Sequence, residues 1–600
     1  MRIWFLIVGA IVGTSVVLVA AGELFPVPEK VIGDSNKTYQ YAAPWDREMY
    51  EGFYKRIDPV IKDLEIIKGG IVPHHLLAGH LSAVFFSAIA KQRPSTIVLI
   101  SPNHFNRGSA PVIATNLDWQ TPYGIVKTDH DLTESMVASG LVRIDEDVVK
   151  EEHGLYVLPP FIRKSLPQTR LVSLMIKEQT PSSTIDMLAN RLADILPADA
   201  VVVASVDFSH YQTAPVANFH DEYTRSIIKS FDYERLAKTE IDSTASVRLL
   251  LKLMESKGAQ KVGFELHTNA AELTRNPSAT NITSYYSPYF VFGDKSTATV
   301  VSLLNFGDLM LDRNVKKRID ENGEDFILEK LAGEENRFFR GMDIIAANLE
   351  GSFADSRRAT TKSIAFRFDP KLIAMLQRYN FSLFNTANNH SFDMSAAGFA
   401  ESKKNLDAAG IDSYGRQYRA DDSSLLIKDI GGVKIAFLGL DDSINPITLK
   451  AIQPLIDRAV AEARHLIVNI HWGAEYQELS NDHQRDLARE LIDAGADAII
   501  GHHPHVVEEI EVYKDKPIFY SLGNFVFDQY FSIPTQQGLA VGVVLGADAT
   551  SVYVFPIESE NSQVRLMPPS KAEQFMRRLI DRSRLGEYNI DQFHFSLPQL

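Results

Sequence analysis

The chain has 600 residues, a formal net charge of -15 at pH 7 and no cysteine. This length exceeds that of a single hydrophobic core and predicts about two to four domains. The acidic balance argues against a general nucleic-acid binder, because such a protein carries a basic surface. The absence of cysteine excludes disulfides, thiolate metal sites and cysteine nucleophiles, so any metal must be bound by His, Asp, Glu or Asn.

The N-terminal segment is apolar. Residues 3–21 carry no charge and follow Arg2, and such a run is about long enough to cross a bilayer as a helix. The stretch VLVAAGE also offers the small residues at which signal peptides are cleaved. The sequence predicts a signal anchor or signal peptide over residues 1–23, so we expect a single-pass membrane protein with extracytoplasmic domains, or a secreted one if cleavage occurs.

Residues 24–58 are polar and proline-containing, and they are predicted to form a linker. From Gly69 onward, short apolar strands alternate with helical stretches, which predicts an α/β domain with a mostly parallel sheet over residues 59–295. Sites in such sheets lie at the carboxyl ends of the strands. Three predicted strand ends carry histidine, and we expect His74, His104 and His210 to converge there, with Asp207 three positions before His210. The separate stretch KEEHGLYVLPPF adds Glu152 and His153.

The stretch KSTA separates this first region from a second one with the same alternation of strands and helices. We place the second α/β domain at residues 296–560 and a C-terminal helical tail at residues 561–600. Five of the predicted strands end in residues that can bind metal: Asp308, Glu350, Asn389 with His390, His471, and His503 with His505.

Each of these strand ends alone has an ordinary explanation, such as a helix N-cap or a turn. Five in succession predict one site, because parallel strands deliver their carboxyl ends to one edge. The mixed nitrogen and oxygen ligands suit Mn, Fe or Zn. The order of residue types follows the logic of hydrolases in which one or two divalent ions activate a water molecule.

Six motifs in this order carry a specific resemblance: GDLMLDR, ANLEG, NTANNHSFDMSAAG, HWGAEY, GHHPHVV and SLGNFVFDQ. Over about residues 299–558 the sequence resembles the capsule-synthesis CapA family, which includes components of poly-gamma-glutamate production. The resemblance implies a metallophosphatase-like α/β sandwich of two sheets and a role in making, exporting or anchoring an anionic envelope polymer. It implies that Asn389 and His390 are catalytic and that the metal ligands are Asp308, Glu350, Asn389, His471, His503 and His505.

The second region departs from true metallophosphoesterases at two positions. Met310 stands where those enzymes have the histidine of an Asp-x-His motif, and Glu350 replaces a Gly-Asp-x-x-Asp loop. One metal position therefore lacks an imidazole, which leaves open a one-ion or a two-ion site.

A basic cluster follows Glu350 in this acidic chain: Arg357, Arg358, Lys362 and Arg367. One interpretation is a solvated surface. The other is a cradle for carboxylates or phosphates, which arginine binds through its planar fork.

The first region, over about residues 67–294, resembles Memo-like proteins, which are relatives of class III extradiol dioxygenases. The motifs are IVPHHLLAGH, LISPNHF and ASVDFSHY. The resemblance implies an α/β fold with a pocket built from His74, His104 and His210, which could hold a metal. The family's cysteine is absent from the corresponding stretch IDSTASV, where Asp242 offers a carboxylate instead.

Three functions follow from these patterns. The first is a metal-dependent hydrolase-like activity on an anionic capsule polymer such as poly-gamma-glutamate, with capsule-synthesis membrane proteins as partners. The second is a non-catalytic assembly component that binds the polymer or its precursor. The third is a metal-binding oxidoreductase-like activity in the Memo-like domain.

Overall fold

The structure, a computed structural model, describes residues 37–56 and 65–600. The predicted N-terminal membrane helix or signal lies outside these residues. Within the described part of the chain, no helix combines the length and apolar character needed to cross a membrane.

The first region contains twelve strands and ten α-helices in its described residues. The strands are β1 (Gln40–Tyr41), β2 (Ile67–Val72), β3 (Thr96–Pro102), β4 (Val112–Ala114), β5 (Trp119–Thr121), β6 (Gly124–Val126), β7 (Arg143–Ile144), β8 (Arg170–Ile176), β9 (Val201–Ser205), β10 (His210–Gln212), β11 (Lys261–Asn269) and β12 (Ile282–Val291). The helices are α1 (Arg47–Tyr54), α2 (Gly79–Ala90), α3 (His130–Ala138), α4 (Glu146–Val149), α5 (His153–Tyr156), α6 (Pro159–Ser165), α7 (Ser182–Ile195), α8 (Ala214–Ser230), α9 (Thr244–Ser256) and α10 (Ala270–Thr274).

A nine-stranded sheet forms the centre of this region, in the order β10-β12-β2-β9-β3-β8-β4-β7 with β11 paired to β12. Its middle strands β2, β9, β3 and β8 are parallel. Strand β3 is apolar and buried along its whole length, as expected of a parallel strand covered on both faces. Hydrophobic clusters lie on both sides of the sheet.

The second region contains seventeen strands and seven α-helices in its described residues. The strands are β13 (Val301–Leu309), β14 (Ile344–Leu349), β15 (Ser352–Phe353), β16 (Arg367–Phe368), β17 (Phe381–Asn385), β18 (Asp412–Tyr414), β19 (Leu425–Ile430), β20 (Val433–Asp441), β21 (His465–His471), β22 (Ala498–His502), β23 (Ile510–Tyr513), β24 (Lys516–Phe519), β25 (Asn524–Val526), β26 (Gln537–Leu545), β27 (Ala549–Glu560), β28 (Gln563–Leu566) and β29 (His594–Pro598). The helices are α11 (Arg313–Asn322), α12 (Glu329–Ala332), α13 (Ile373–Arg378), α14 (Ser395–Ala408), α15 (Leu449–Glu462), α16 (Asp482–Asp493) and α17 (Pro569–Arg582).

Two sheets pack face to face in the second region. One has the order β18-β17-β14-β13-β26-β27-β28, with β25 on β13 and β29 on β27, and the other has the order β19-β20-β21-β22-β24-β23. A shared hydrophobic cluster joins them, with Leu303 of the first sheet and Ile467 of the second among its members. Helices cover the outer faces through two further clusters. Both regions are therefore α/β, as predicted.

Two parts of the chain are more ordered than the sequence suggests. Inside the predicted linker, β1 pairs with β5, and Tyr50 of α1 is fully buried, with its hydroxyl donating to the Val157 carbonyl (2.9 Å). In the predicted helical tail, β28 and β29 pair with β27, so the tail also completes a sheet.

The two regions contact each other through apolar and charged side chains. Phe219 of α8 packs 5.4 Å from Tyr553 and 5.7 Å from Phe555, measured between ring centroids. Glu222 accepts hydrogen bonds from Ser551 (2.8 Å) and Tyr553 (2.9 Å). The cluster around Phe219 also includes core residues of the second region, so these two regions share buried surface.

Candidate metal centres

The second region brings its predicted ligands together at the carboxyl ends of strands from both sheets. Asp308 lies near the end of β13, and Glu350 directly follows β14. His471 ends β21 in the other sheet. We call the group Asp308, Glu350, His471, His503 and His505 the second centre; all five side chains are buried.

Asp308 contacts more than one polar residue of the second centre. Its Oδ2 lies 3.3 Å from His505 Nδ1, and its Oδ1 accepts a hydrogen bond from Asn348 Nδ2 (2.8 Å). One ligand atom each from Asp308, Glu350 and His505 fall within 4.8 Å of one another. This spacing matches what a single bound ion requires of three ligands.

His471, at the end of an apolar strand, also points into the second centre. Its Nε2 lies 3.0 Å from Asn389 Oδ1 and 3.8 Å from Glu350 Oε1. Its ring centroid is 4.6 Å from that of His503. The predicted ligand Asn389 therefore reaches the second centre through its side-chain oxygen.

Several polar atoms of the second centre are buried without a partner among the described residues, including Glu350 Oε2 and His503 Nδ1. Leaving such atoms unpaired is costly unless something binds them. His503 and His505 also have positive φ angles of 99° and 58°, and strained backbone of this kind clusters at functional sites. Orphaned ligand atoms on carboxylate and imidazole groups fit a divalent metal ion.

The charge states of the second centre are uneven. Burial would raise the pKa of Asp308, but its hydrogen bond to His505 lowers it below the ordinary value. Burial and the neighbouring Asp308 raise the pKa of Glu350 well above its ordinary value. Burial, then the nearby His503, lowers the pKa of His471 well below its ordinary value, and burial lowers that of His503 to about 4. Neutral imidazoles are the form that binds metal.

His390 is held beside the second centre rather than within it. Its Nδ1 lies 2.7 Å from Asp393 Oδ2, and the ring makes a tilted contact with Phe366, with centroids 4.3 Å apart. A carboxylate-oriented histidine that is partly exposed is suited to proton transfer. The catalytic role of Asn389 and His390 stays a prediction.

The predicted anion-binding cluster is engaged in contacts within the protein. Arg357 pairs with Asp312, Arg358 with Glu401, and Lys362 with Asp393. Arg367 donates to the carbonyls of Ala354 and Asp355. These contacts brace the loop after Glu350, and Lys362 also bonds the Asn389 carbonyl. An anion-binding role stays a prediction, and the contacts favour loop bracing.

Sequence reasoning missed three residues of the second centre. Asn348 donates to Asp308 and lies 3.3 Å from His471 Nδ1. His502 Nδ1 lies 3.7 Å from Asp308 Oδ1, and Asn524 Oδ1 lies 3.0 Å from His505 Nδ1. Asn348 sits two positions before Glu350 on a strand, and this period-two spacing was the available signal.

The first region builds a separate centre at the ends of its parallel strands. His74 Nε2 lies 3.3 Å from Asp242 Oδ2 and 3.4 Å from Asp207 Oδ2. His104 Nε2 approaches Asp242 Oδ2 to 3.7 Å. We call His74, His104, Asp207 and Asp242 the first centre. Asp242 thus occupies the place suggested for a substitute carboxylate, and its Oδ1 is buried without a partner among the described residues.

Electrostatics in the first centre differ from those in the second. Burial and the adjacent Asp242 raise the pKa of Asp207 well above its ordinary value. Burial would lower the pKa of His104, but hydrogen bonds with Asp242 and Glu152 raise it to about 10. His74 and His104 with the carboxylate of Asp242, which has an orphaned oxygen, could hold a divalent ion such as Fe(II) if the ion displaces the proton of His104.

His210, the third predicted pocket residue, lies beside these ligands. Burial and the surrounding histidines, His210 among them, lower the pKa of His74 well below its ordinary value. The Nδ1 of His210 is buried without a partner among the described residues. Its backbone N–H donates to Glu240 (3.1 Å), which pairs with Arg337 of the second region.

Comparison with known proteins distinguishes the same two regions. Residues 302–529 match the family described as bacterial capsule synthesis protein PGA_cap, and residues 38–285 match the family described as Memo-like protein. The chain joins a Memo-like region to a PGA_cap region. The Memo-like match begins upstream of α1, in agreement with the ordered segment found there.

Curated relatives match each region separately. The PGA biosynthesis protein CapA of Bacillus subtilis is 36% identical over 247 residues, which cover 38% of this chain and 64% of the relative. The capsule biosynthesis protein CapA of Bacillus anthracis is 32% identical over 258 residues, which cover 39% of this chain and 61% of the relative. A MEMO1 family protein of Methanothermobacter thermautotrophicus is 30% identical over 181 residues, which cover 29% of this chain and 65% of the relative. The chain thus spans slightly less than two thirds of each of these relatives.

Proposed function

We propose that the second region is a metal-dependent hydrolase of metallophosphatase-like fold that acts on an anionic capsule polymer such as poly-gamma-glutamate. The buried ligand set with its unpaired Glu350 Oε2 and His503 Nδ1 carries this proposal. The names of the CapA relatives supply the polymer and the capsule role.

Asp308, Glu350, Asn389, His471, His503 and His505 would hold one or two ions of Mn, Fe or Zn. Such an ion lowers the pKa of bound water and polarises the bond to be cleaved. Asn348 orients Asp308 and His471 by its side-chain amide. His390, held by Asp393 at the edge of the second centre, would move the proton to the leaving group.

Metal content of the purified full chain after dialysis tests this proposal. We expect about one to two ions bound by the second centre, and loss of them in the His471→Ala, His503→Ala double variant with little change in melting temperature. His465→Ala is a matched control, because His465 is buried on the same strand at its other end. Retention of all metal in the double variant would refute the assignment.

Activity is tested separately from metal binding. Phosphoesters and γ-linked glutamyl peptides serve as substrates, with the metal-loaded wild type compared with His390→Ala. Tight metal binding without turnover of any substrate would favour the alternative of a non-catalytic component that binds the polymer. Met310 supports this alternative, since its side chain is fully buried in the hydrophobic cluster and supplies no ligand.

We also propose an extracytoplasmic location, with residues 1–23 as a single-pass anchor or, if cleaved, a signal. The apolar run after Arg2 and the absence of cysteine support it. Capsule-synthesis membrane proteins would then be partners. A C-terminal reporter that is active only in the cytoplasm should give no signal, and a strong signal would overturn the location.

For the first region, we propose a metal-binding oxidoreductase-like activity as a second candidate function. The approach of His74 and His104 to Asp242 favours it. The test is binding of Fe(II) by the full chain that carries His471→Ala and His503→Ala, so that the second centre is removed. Adding His74→Ala should abolish this binding, and adding His130→Ala on the exposed start of α3 should not.

A further inference from the structure

The loop between β18 and β19 supports the segment that carries Asn389 and His390 of the predicted site. Gln417 in this loop is fully buried. Its Nε2 donates to the Asn389 carbonyl (2.7 Å), and its Oε1 accepts from the Phe392 N–H (3.2 Å). A single side-chain amide therefore holds the main chain at both ends of residues 389–392, which we call the Asn389 segment.

Glutamine suits these two contacts because its side chain ends in both a donor and an acceptor. The carbonyl of Asn389 requires the donor, and the N–H of Phe392 requires the acceptor. Lys362 also bonds the Asn389 carbonyl, but its side chain is partly exposed. Gln417 is thus the buried partner of this carbonyl, and main-chain groups that lose a buried partner are costly to leave unpaired.

The loop that carries Gln417 is itself tied down on both sides. Gly415 has a φ of 87°, which favours glycine, and its carbonyl accepts from Thr386 Oγ1 (2.7 Å). Tyr418 has a φ of 77°, and its N–H donates to Asp441 Oδ2 (3.3 Å). The backbone on either side of Gln417 is therefore fixed by contacts outside the loop.

This loop connects the two sheets that supply the proposed metal ligands. Asp441 ends β20 and is the register partner of His471 on the neighbouring strand β21. Asn389 follows β17 of the other sheet, and its Oδ1 lies 3.0 Å from His471 Nε2. The contacts of Gln417 and Tyr418 therefore run from the Asn389 segment to the strand end beside His471.

We propose that Gln417 is a positioning residue of the second centre, which holds Asn389 where its side-chain oxygen can bind an ion together with His471. Gln417 acts through the main chain of the Asn389 segment and does not itself contact the ion. Asn389 is partly exposed, so a loosened segment would let its side chain turn towards solvent, and the ion would lose an oxygen ligand. This inference rests on the metal site of the proposed function.

Binding of Co²⁺ by the full chain tests the proposal, in a His74→Ala background that removes the first centre. Competition with a chelator measures the affinity, and the visible absorption of bound Co²⁺ reports its ligands. We expect Gln417→Met to weaken binding about tenfold, the lower end for loss of an outer partner of a ligand, because Lys362 still bonds the Asn389 carbonyl. The absorption spectrum should change in the same direction as in Asn389→Ala.

A double-mutant cycle separates positioning of the ligand from general support of the fold. The other proposed ligands remain in Asn389→Ala, and adding Gln417→Met to it should weaken binding by less than about twofold, because both changes act through the same ligand. Gln563→Met is the matched control, since Gln563 is a buried glutamine of the same region whose Nε2 donates to the Phe326 carbonyl (2.9 Å). It should leave affinity and spectrum unchanged.

Gln417→Asn provides a second variant in case Gln417→Met does not fold. It keeps the amide but is one methylene shorter, so it cannot make both contacts, and binding should again weaken. Wild-type affinity in the folded Gln417 variants, the same loss with and without Asn389, or equal weakening by Gln563→Met would overturn this inference alone. Absence of Co²⁺ binding in the His74→Ala chain would overturn the proposed metal site and this inference with it.

Discussion

Both regions place polar side chains at the carboxyl ends of parallel strands, but they combine charge differently. In the second centre, Asp308 is kept ionised by His505 while the buried Glu350 has a raised pKa. In the first centre, Asp207 and Asp242 lie beside one histidine, and a second histidine is held with a pKa of about 10. Similar strand geometry therefore builds sites with different charge balances, and we expect them to prefer different ions.

The centres also differ in how many sheets build them. The second centre draws on two packed sheets within its own region, with Asp308 from one and His471 from the other. The first centre uses one sheet but is connected to the second region through Glu240 and Arg337. The first region is therefore the one whose centre we expect to depend on its neighbour.

The largest expected effect is that of Arg337→Met on stability. Glu240 is fully buried, so removing its partner leaves an uncompensated charge, and breaking a buried pair in this way costs about 3–5 kcal/mol. Urea denaturation of the full chain measures it. Adding Glu240→Gln should restore most of the loss.

Arg577→Met is the control for Arg337→Met, because Arg577 is 78% exposed and its contact with Glu573 is a surface pair. We expect almost no change in its unfolding midpoint. If Arg337→Met unfolds at the same urea concentration as Arg577→Met, the first region does not depend on this contact.

Asn348→Ala should weaken metal binding at the second centre and leave metal binding at the first centre unchanged. Its amide orients Asp308 and His471, and loss of such an orienting group costs about 10–100-fold in metal affinity. Competition with a chelator measures the affinity. Binding at the first centre should not change.

Asn305→Ala is the matched control for Asn348→Ala, because Asn305 is a buried asparagine of the same sheet that donates to the Val541 carbonyl. Its metal affinity should equal that of the wild type. Equal weakening in both variants would mean that Asn348 acts only through packing.

Glu508→Gln concerns a buried carboxyl that lies outside both centres, for comparison with Glu350. Burial raises the pKa of Glu508 from its ordinary value of 4.5 to about 8. Between pH 4.5 and about pH 8, Glu508 keeps its proton in the folded protein but has released it in the unfolded chain. The free energy of unfolding of the wild type therefore falls as pH rises from 4.5 to 8.

Glu508→Gln removes this titration. Relative to the wild type, we expect the variant to be more stable by about 1–3 kcal/mol at pH 9, with the difference disappearing towards pH 4. Thermal unfolding across this pH range measures it. A constant difference at every pH would show that the pKa of Glu508 is the same in the folded protein as in the unfolded chain.

Much of the second centre could be predicted from the sequence because its ligands follow apolar strands. The end of such a strand can be recognised in the sequence where a polar residue follows an apolar run. His471 after the buried run Leu466 to Ile470 is an example. Asn348 was missed because it lies inside a strand, where an amide has the pattern of an ordinary strand residue. His502 ends β22, and the prediction selected the neighbouring His503 and His505 instead. Only pairing of the strands brings Asn348 to Asp308.

Contacts between distant segments account for the other differences. Helix α1 lies in a polar, proline-containing stretch, and its burial depends on a surface that includes Val157, about a hundred residues later. For Arg357 the sequence suggests either a solvated surface or an anion-binding cradle, because its partner Asp312 is 45 positions away.

The positive φ angles of His503 and His505 have a consequence for the speed and selectivity of metal capture. A left-handed backbone at these residues aims both imidazoles before any ion arrives, so the loss of loop entropy takes place during folding. Binding then requires little rearrangement, and an ion of the wrong radius cannot be accommodated by a shift of the loop. His503→Gly would relax the backbone but would also remove a proposed ligand, so it should weaken the binding of every ion.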